Sequence, residues 1–331
     1  MVKRITLAHL PTPIQRPARL AEALGIDLWI KRDDMTGGAE AGNKLRKLEF
    51  LLAEALARGA DTVITCGGLQ SNHARATAIA AASLGLRTLL FLRVKGGKGA
   101  PEGAKLEGNL LLDRLVGAEI RLITEAEYLD RSAVMAAAEE ELRSAGRRAY
   151  VIPEGGSNGL GALGYVEALG EVRQKLDAGE AGGAPFDVIV HACGSGGTAA
   201  GVLLGAARYG VATEVRPMAV CDDAPTFERI IARIVGEARS LAPGLEATAR
   251  LRVDDQARGP AYGVSTPAQR REMIFAARLS GLVFDPVYTG KAFAGLCELA
   301  RGELKGARVL FIHTGGLPGL LAQGAEFDGE V

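Results

Sequence analysis

Gly37-Gly38-Ala39-Glu40-Ala41-Gly42-Asn43-Lys44-Leu45-Arg46-Lys47-Leu48-Glu49-Phe50 is the stretch on which the fold and the chemistry turn. A glycine-rich run passes directly into a pattern with Leu45, Leu48, Leu52 and Leu56 at three- and four-residue spacings, so one face of a helix is apolar. The helix is expected to begin at Asn43, whose side-chain oxygen can cap a first-turn amide. Lys44 then sits at the positive end of the helix dipole, where an ammonium is disfavoured. A lysine biased toward its neutral form is what attack on a carbonyl requires. The plainer reading of Lys44, Arg46 and Lys47 is a solvated helix face, and this segment alone does not choose between the two.

Working outward, the chain alternates strands and helices. Pro11-Thr12-Pro13 is an extended connector, a short helical pattern runs through Leu20 and Leu24 to a break at Gly25, and Leu28-Trp29-Ile30-Lys31 reads as a strand. Asp33-Asp34 fall short of a hard-cation ligand set and read as a cap and turn. Strands are expected over 61–65, 86–93, 119–123 and 149–152, helices over 71–84, 110–116 and 133–145, a tight turn at Cys66-Gly67-Gly68 and a glycine-rich loop over 96–108. The second half repeats the order, with helices over 161–176, 199–207, 227–241 and 268–279 and strands over 186–191, 215–220 and 308–312. Such alternation predicts two open, mainly parallel α/β sheets with helices on both faces and ligands at the C-terminal strand ends.

Composition narrows the function. A chain of 331 residues exceeds a single core and should form two lobes. Lysine plus arginine equals aspartate plus glutamate at 39 each, and no basic run with interleaved aromatics is present, so a nucleic-acid partner is excluded in favour of a small molecule. Cys66, Cys193, Cys221 and Cys297 have no paired spacing, which argues against a disulfide framework or a metal site and fits a reducing cytoplasm. No stretch has the apolar length of a signal peptide or a membrane span.

Three further segments carry chemistry. Gly194-Ser195-Gly196-Gly197-Thr198 links an apolar strand to a helix, so its amides can converge on a phosphate. It lacks the lysine of a P-loop, yet Gly194, Gly196 and Ala199, with Glu214 beyond, also satisfy a loose dinucleotide fingerprint. Gln70-Ser71-Asn72-His73 opens another helix, where amides and the Ser71 hydroxyl suit a substrate carboxylate. Asp285-Pro286-Val287-Tyr288-Thr289-Gly290-Lys291 and His313-Thr314-Gly315-Gly316 each follow an apolar run read as a strand, and both should open onto one crevice. Tyr288 there can stack on a flat ring or move a proton, while His313, without a partner nearby in sequence, reads as structural.

Together these segments resemble the tryptophan-synthase-β-like enzymes that use pyridoxal 5'-phosphate, and within them the 1-aminocyclopropane-1-carboxylate deaminase and D-cysteine desulfhydrase family. The likeness runs from Leu10-Pro11-Thr12-Pro13 to His313-Thr314-Gly315-Gly316. It implies a fold type II enzyme, a homodimer, with a large cofactor-binding domain of residues 1–47 and 161–331 and a small domain of 48–160. It implies that Lys44 holds the cofactor covalently, that Gly194, Ser195, Gly196, Gly197 and Thr198 hold its phosphate, that Asn72 bonds its ring hydroxyl, and that Thr314 contacts its ring nitrogen. Ser71, with Asn72 and His73, would bind the substrate carboxylate, Tyr288 would stack on the ring, and Tyr262 would reach the substrate.

The deaminase branch carries a glutamate directly after the stacking tyrosine, where this chain has Thr289. A carboxylate at the ring nitrogen keeps it protonated and the ring a strong electron sink; a hydroxyl does not. The weaker sink suits β-elimination better than cyclopropane opening. The expected activity is therefore a carbon–sulfur lyase acting on D-cysteine, with Lys44 as general base and Tyr288 or Tyr262 as proton donor. L-cysteate is the principal alternative substrate, for which a neighbouring arginine such as Arg75 would have to receive the sulfonate. From other classes, a nicotinamide-dependent oxidoreductase would use the Gly194 loop, and a non-catalytic amino-acid-binding module would hold the cofactor without turnover.

Overall fold

The computed structural model describes residues 2–94 and 105–331, so most of the glycine-rich loop expected over 96–108 lies outside the described residues. Ten strands are described: β1 (Ile14–Gln15), β2 (Asp27–Arg32), β3 (Thr62–Gly68), β4 (Arg87–Arg93), β5 (Glu119–Ile123), β6 (Ala149–Val151), β7 (Phe186–Cys193), β8 (Ala212–Ala219), β9 (Arg250–Leu251) and β10 (Arg308–His313). They form a six-stranded sheet in the order β1-β2-β10-β7-β8-β9 and a four-stranded sheet in the order β5-β4-β3-β6. Every pairing is parallel except β1 with β2. The expected α/β class with two mainly parallel sheets is the one observed.

The centre of the larger sheet follows from its sequence. Along β7 and β10, residues alternate between two cores: Val188, Val190, Val309 and Phe311 pack on one face, and Ile189, Leu310 and Ile312 on the other. Strands buried on both faces need near-continuous apolar runs, which these are. The Gly159–Asp177, Gly197–Tyr209 and Ala224–Leu241 helices cover one face, and the Pro267–Ser280 and Thr289–Ala300 helices cover the other. No helix among the described residues is long and apolar enough to cross a membrane.

Several local expectations are corrected. Cys66-Gly67-Gly68 is not a turn but the end of β3, paired with β4 through Gly67↔Leu92 and Gly68↔Arg93. Gly67 is there for close approach, since a Cβ would lie 2.4 Å from Ser71 Oγ. No strand precedes Asp285; residues 281–288 are irregular and lead into the Thr289–Ala300 helix. Asn43 is the first helical residue rather than the cap. The cap is Gly42, at φ 124°, because the chain there passes so close to the Thr314 carbonyl that a Cβ would sit 2.9 Å from its oxygen.

Arg46 and Lys47 are not a solvated face, each being 1% exposed. The Arg46 guanidinium donates Nε and Nη2 to the two Asp33 oxygens at 2.8 Å and Nη1 to Glu171 Oε1 at 2.7 Å. Lys31 donates to Glu171 at 2.8 Å and to Thr12, and the Tyr165 and Thr12 hydroxyls donate to Asp33 at 2.6 and 2.8 Å. Asp33 is thus one member of a sealed charge cluster, and these cations hold its carboxyl well below the usual range despite burial. Asp34 pairs with Arg32.

Two buried histidines set the acid limit of this sheet. Burial pulls both His191 on β7 and His313 on β10 down to about 4. The unfolded chain therefore binds protons that the folded chain refuses between about pH 6.5 and 4, so stability rises with pH across that window and is lost on acidification. Each should cost at most about 1.4 kcal/mol per pH unit there. Urea titrations at pH 7, 6 and 5 check this, with replacement of His191 by Gln flattening the slope by one proton.

Candidate active site

The C-terminal ends of β3, β4, β7, β8 and β10 converge on one cavity of about 640 Å³. Lys44, Ser71, Asn72, His73, Gly194, Ser195, Gly196, Thr198, Tyr262, Tyr288 and Thr314 all line it. Of the residues singled out in the sequence, Gly197 stands just behind the wall, its amide donating to Ser157 Oγ at 3.2 Å. Six stretches distant in sequence are therefore brought to one place.

Lys44 is the second residue of its helix, and its amine has no hydrogen-bond or ion-pair partner among the described residues. Burial pulls its ammonium down to about 8, with Glu154 in the same cavity opposing and Arg75 assisting. Across from it, the Gly197–Tyr209 helix starts without a side-chain cap, and the amides of Ser195, Thr198 and Ala199 find no protein acceptor among the described residues. Asn43 Nδ2 donates to Thr198 Oγ1 at 3.0 Å, joining the Lys44 helix to this loop. Behind the loop, Lys47 Nζ donates to Gly155 O at 3.1 Å and would lie 2.9 Å from a Cβ placed on Gly197.

On the opposite wall Ser71 is the N-cap, its Oγ accepting from the Ala74 amide at 3.1 Å, which leaves the hydroxyl proton and the Asn72 and His73 amides to face a ligand. Asn72 Oδ1 accepts from Asn109 Nδ2 at 3.0 Å, so its own NH2 group remains to donate. The Thr65 hydroxyl spends its proton on Ile152 O at 2.8 Å and must accept from His73 Nε2 at 2.9 Å. His73 is held neutral, burial and the nearby Lys44 and Lys47 pushing it well below its ordinary value.

The hydroxyls of Tyr262 and Tyr288 lie 2.6 Å apart with ring planes at 73°. Burial raises both, Tyr262 to about 12 and Tyr288 well above the ordinary phenol value, so both are phenols at neutral pH. Thr289 does not line the cavity; its hydroxyl donates to Asp285 Oδ1 at 2.6 Å and accepts from the Asp285 amide at 2.9 Å. Thr314 does line it, and its carbonyl accepts the Asn43 amide at 3.1 Å. His313 is structural as read: its Nε2 meets Val283 O at 3.1 Å while the Gly315 amide donates to Nδ1.

Arg75 is not available to a sulfonate. It is 1% exposed, bonds Asn109 Oδ1 at 3.0 Å and Ala41 O at 3.1 Å, and lies outside the cavity. Sequence reading missed Lys47, Glu154, Arg93 and Tyr128. Arg93 lies over the Tyr128 and Tyr262 rings, 4.7 and 5.4 Å from their centroids, and Glu154 accepts from Tyr128 and pairs with Arg131 at 2.9 Å. Only for Lys47, three residues past Lys44 on the same side of a helix, was a signal present.

An unpartnered lysine amine, a loop of unfilled amides backed by the Lys47 amine, which burial and the nearby Lys44 push well below its ordinary pKa, and phenols on the same cavity suit a small phosphorylated aldehyde, which is what pyridoxal 5'-phosphate is. The dinucleotide reading fails on geometry: Glu214 pairs with Val188 near the start of β8, away from the strand end that carries the loop, and its carboxylate is engaged by Arg216 and Arg250. Fold and site together define a fold type II cofactor-dependent enzyme. A family model described as pyridoxal-phosphate dependent enzyme matches residues 5–315, and the chain belongs to that family.

The chain is 44% identical over 320 residues to the bifunctional D-cysteine desulfhydrase/1-aminocyclopropane-1-carboxylate deaminase, mitochondrial, of Arabidopsis thaliana, covering 95% of this chain and 78% of the relative. It is 41% identical over 326 residues to D-cysteine desulfhydrase of Klebsiella pneumoniae, covering 96% and 95%. A crystal structure of an ACC deaminase homologue superposes with a TM-score of 0.90 at 38% identity, over 99% of this chain and 96% of that one. The protein is a pyridoxal-phosphate-dependent lyase of the deaminase and desulfhydrase group.

Replacing Lys47 with methionine removes the buried amine behind the Gly194 loop, on which a bound phosphate would favour a positive charge, while keeping the length of the side chain. Affinity of the apoprotein for pyridoxal 5'-phosphate should fall by at least about tenfold, the worth of one charge-assisted hydrogen bond. Fluorescence titration measures it; an unchanged Kd would mean that the loop amides suffice.

Proposed function

We propose that this lyase eliminates hydrogen sulfide from D-cysteine, converting D-cysteine and water to pyruvate, ammonia and hydrogen sulfide. The observation that carries the reading is the free Lys44 amine sharing one cavity with the unfilled Gly194-loop amides and the Tyr262–Tyr288 pair. When bound, pyridoxal 5'-phosphate supplies the conjugated ring that accepts the electron pair left on Cα. The residues named for it in the sequence, Lys44, Asn72, Gly194 to Thr198, Tyr288 and Thr314, are the ones that we propose hold it.

Ser71 and the first amides of its helix hold the substrate carboxylate. Lys44, with an amine easily deprotonated, takes the proton from Cα as general base. The Cβ–S bond then breaks and the electron pair leaves on sulfur. One of the paired tyrosines donates its proton to that sulfur, both being protonated at neutral pH. With Thr289 turned away onto Asp285, it is the Thr314 hydroxyl rather than a carboxylate that faces the cavity, which favours this elimination over cyclopropane opening.

L-cysteate stays as a second reading because Arg93 has no carboxylate partner among the described residues and lines the same cavity as Arg131. We further propose that residues 48–160, which contain the four-stranded sheet, form the small domain against 1–47 and 161–331. A cytoplasmic homodimer completes the reading, in keeping with four free thiols.

Pyruvate release from D-cysteine, L-cysteine, L-cysteate, β-chloro-D-alanine and 1-aminocyclopropane-1-carboxylate decides among substrates, and D-cysteine should give the highest kcat/KM. Lys44→Ala should lower kcat by at least about 1,000-fold, in the range of lost acid–base catalysis. Borohydride reduction followed by peptide mapping should place the cofactor on Lys44; label on another lysine, or parental turnover by the variant, would sink the assignment.

A further inference from the structure

Lys291 is an unused cation in the core. It stands in the first turn of the Thr289–Ala300 helix, where the helix dipole opposes a positive charge, and it is fully buried. No carboxylate among the described residues bonds it. Its Nζ donates instead to three backbone carbonyls, Val220 O at 3.1 Å, Arg258 O at 2.7 Å and Ala261 O at 2.8 Å. An ammonium has three donors, and here all three are spent on main chain. Burial lowers it to about 8, with Cys221, Asp285 and Glu326 nearby opposing, and the three carbonyl acceptors, absent around Lys44, favour its charged form.

The three carbonyls belong to two segments that meet at the cavity. Val220 follows β8, just before the cavity-lining Cys221, while Arg258 and Ala261 bracket the loop that ends in Tyr262. Tyr288, the hydroxyl partner of Tyr262, lies three residues before Lys291 at the start of the same helix. One ammonium therefore ties the Tyr262 loop, the end of β8 and the Tyr288 helix together, and the 2.6 Å contact of the phenols spans the gap it closes.

We propose that Lys291 is a built-in cation that positions Tyr262 against Tyr288, filling with its own ammonium a cage of carbonyl oxygens that would otherwise suit a monovalent cation. It is a positioning residue, and its kinetic consequence rests on the proton-donor role given above to the tyrosines. A neutral side chain could not do the same work, since three carbonyls facing one point need three donor hydrogens on one atom, which an ammonium carries.

The test melts and assays parent, Lys291→Ala and Lys291→Met holoenzymes in choline, potassium and ammonium chloride at equal ionic strength. The parent should have the same Tm and kcat in all three salts. Lys291→Ala should lose about 100-fold in kcat in choline chloride, the scale of a displaced catalytic group, and recover both kcat and Tm in ammonium or potassium chloride. Lys291→Met, whose stem keeps the cage blocked, should be as slow and should respond to no salt. The proposal is overturned if the parent needs potassium or ammonium, if Lys291→Ala is as fast as the parent in choline chloride, or if neither cation raises the Tm of Lys291→Ala. Should neither variant fold, the parent's response decides: dependence on potassium or ammonium overturns the proposal and indifference supports it. A parent that forms no pyruvate counts against the proposed reaction, and the melting comparison then judges the cage alone.

Discussion

The sealed cluster of Lys31, Asp33, Arg46 and Glu171 is the constraint on which the site depends. It joins the N-terminal connector through Thr12, the end of β2 through Lys31 and Asp33, and the Gly159–Asp177 helix through Glu171 and Tyr165. Arg46 brings the Lys44 helix into it. Removing one partner from such a cluster strands a buried charge at about 3–5 kcal/mol, so the helix has little freedom to turn about its axis. At about 100° per residue, Arg46 points some 200° away from Lys44, and Lys47 returns to within about 60° of it. Anchoring Arg46 on one side therefore aims Lys44 into the cavity and leaves Lys47 behind the glycine loop.

The crevice is built from strand ends that carry almost no side chain. Gly67 and Gly68 finish β3, and Gly194 follows β7, so neighbouring groups approach main chain directly: a Cβ on Gly68 would lie 3.2 Å from the Tyr262 ring and one on Gly194 3.0 Å from the Tyr288 ring. The same scarcity of side chains leaves amides as the principal donors. Charge is then supplied at separate points of the wall, by Lys44, by Glu154 paired with Arg131, and by Arg93 over the Tyr128 and Tyr262 rings. A low-dielectric setting makes each of these count for more than it would in water.

Much of this was legible in the chain. The alternation of apolar runs with helical periodicity was enough for two parallel sheets, because strands buried on both faces, such as β7 and β10, cannot be polar. That the glycine loop and Lys44 face one cavity was legible because a glycine run at a helix start and a lysine in a first turn each have a local pattern. What stayed hidden depends on contacts between distant segments. Gly67 looked like a turn residue when it answers to Ser71 four positions on, and Gly42 took the cap from Asn43 because Thr314 lies against it. The fates of Arg46, Arg75 and Lys291, all charged and all buried, were unreadable for the same reason: each is settled by acceptors more than ten residues away.

The tyrosine pair has a consequence for turnover. Two phenols at 2.6 Å share one hydrogen between their oxygens, so of the two hydroxyl hydrogens only the outward one is free to move. In the proton-donor role that we propose for it, the couple is a single-shot donor. Once it has discharged, the resulting phenolate is stabilised by its neighbour yet useless for a second transfer, and the site must be recharged from water before another molecule can react. Entry of solvent between cycles is thus as much a part of the machinery as its exclusion during them.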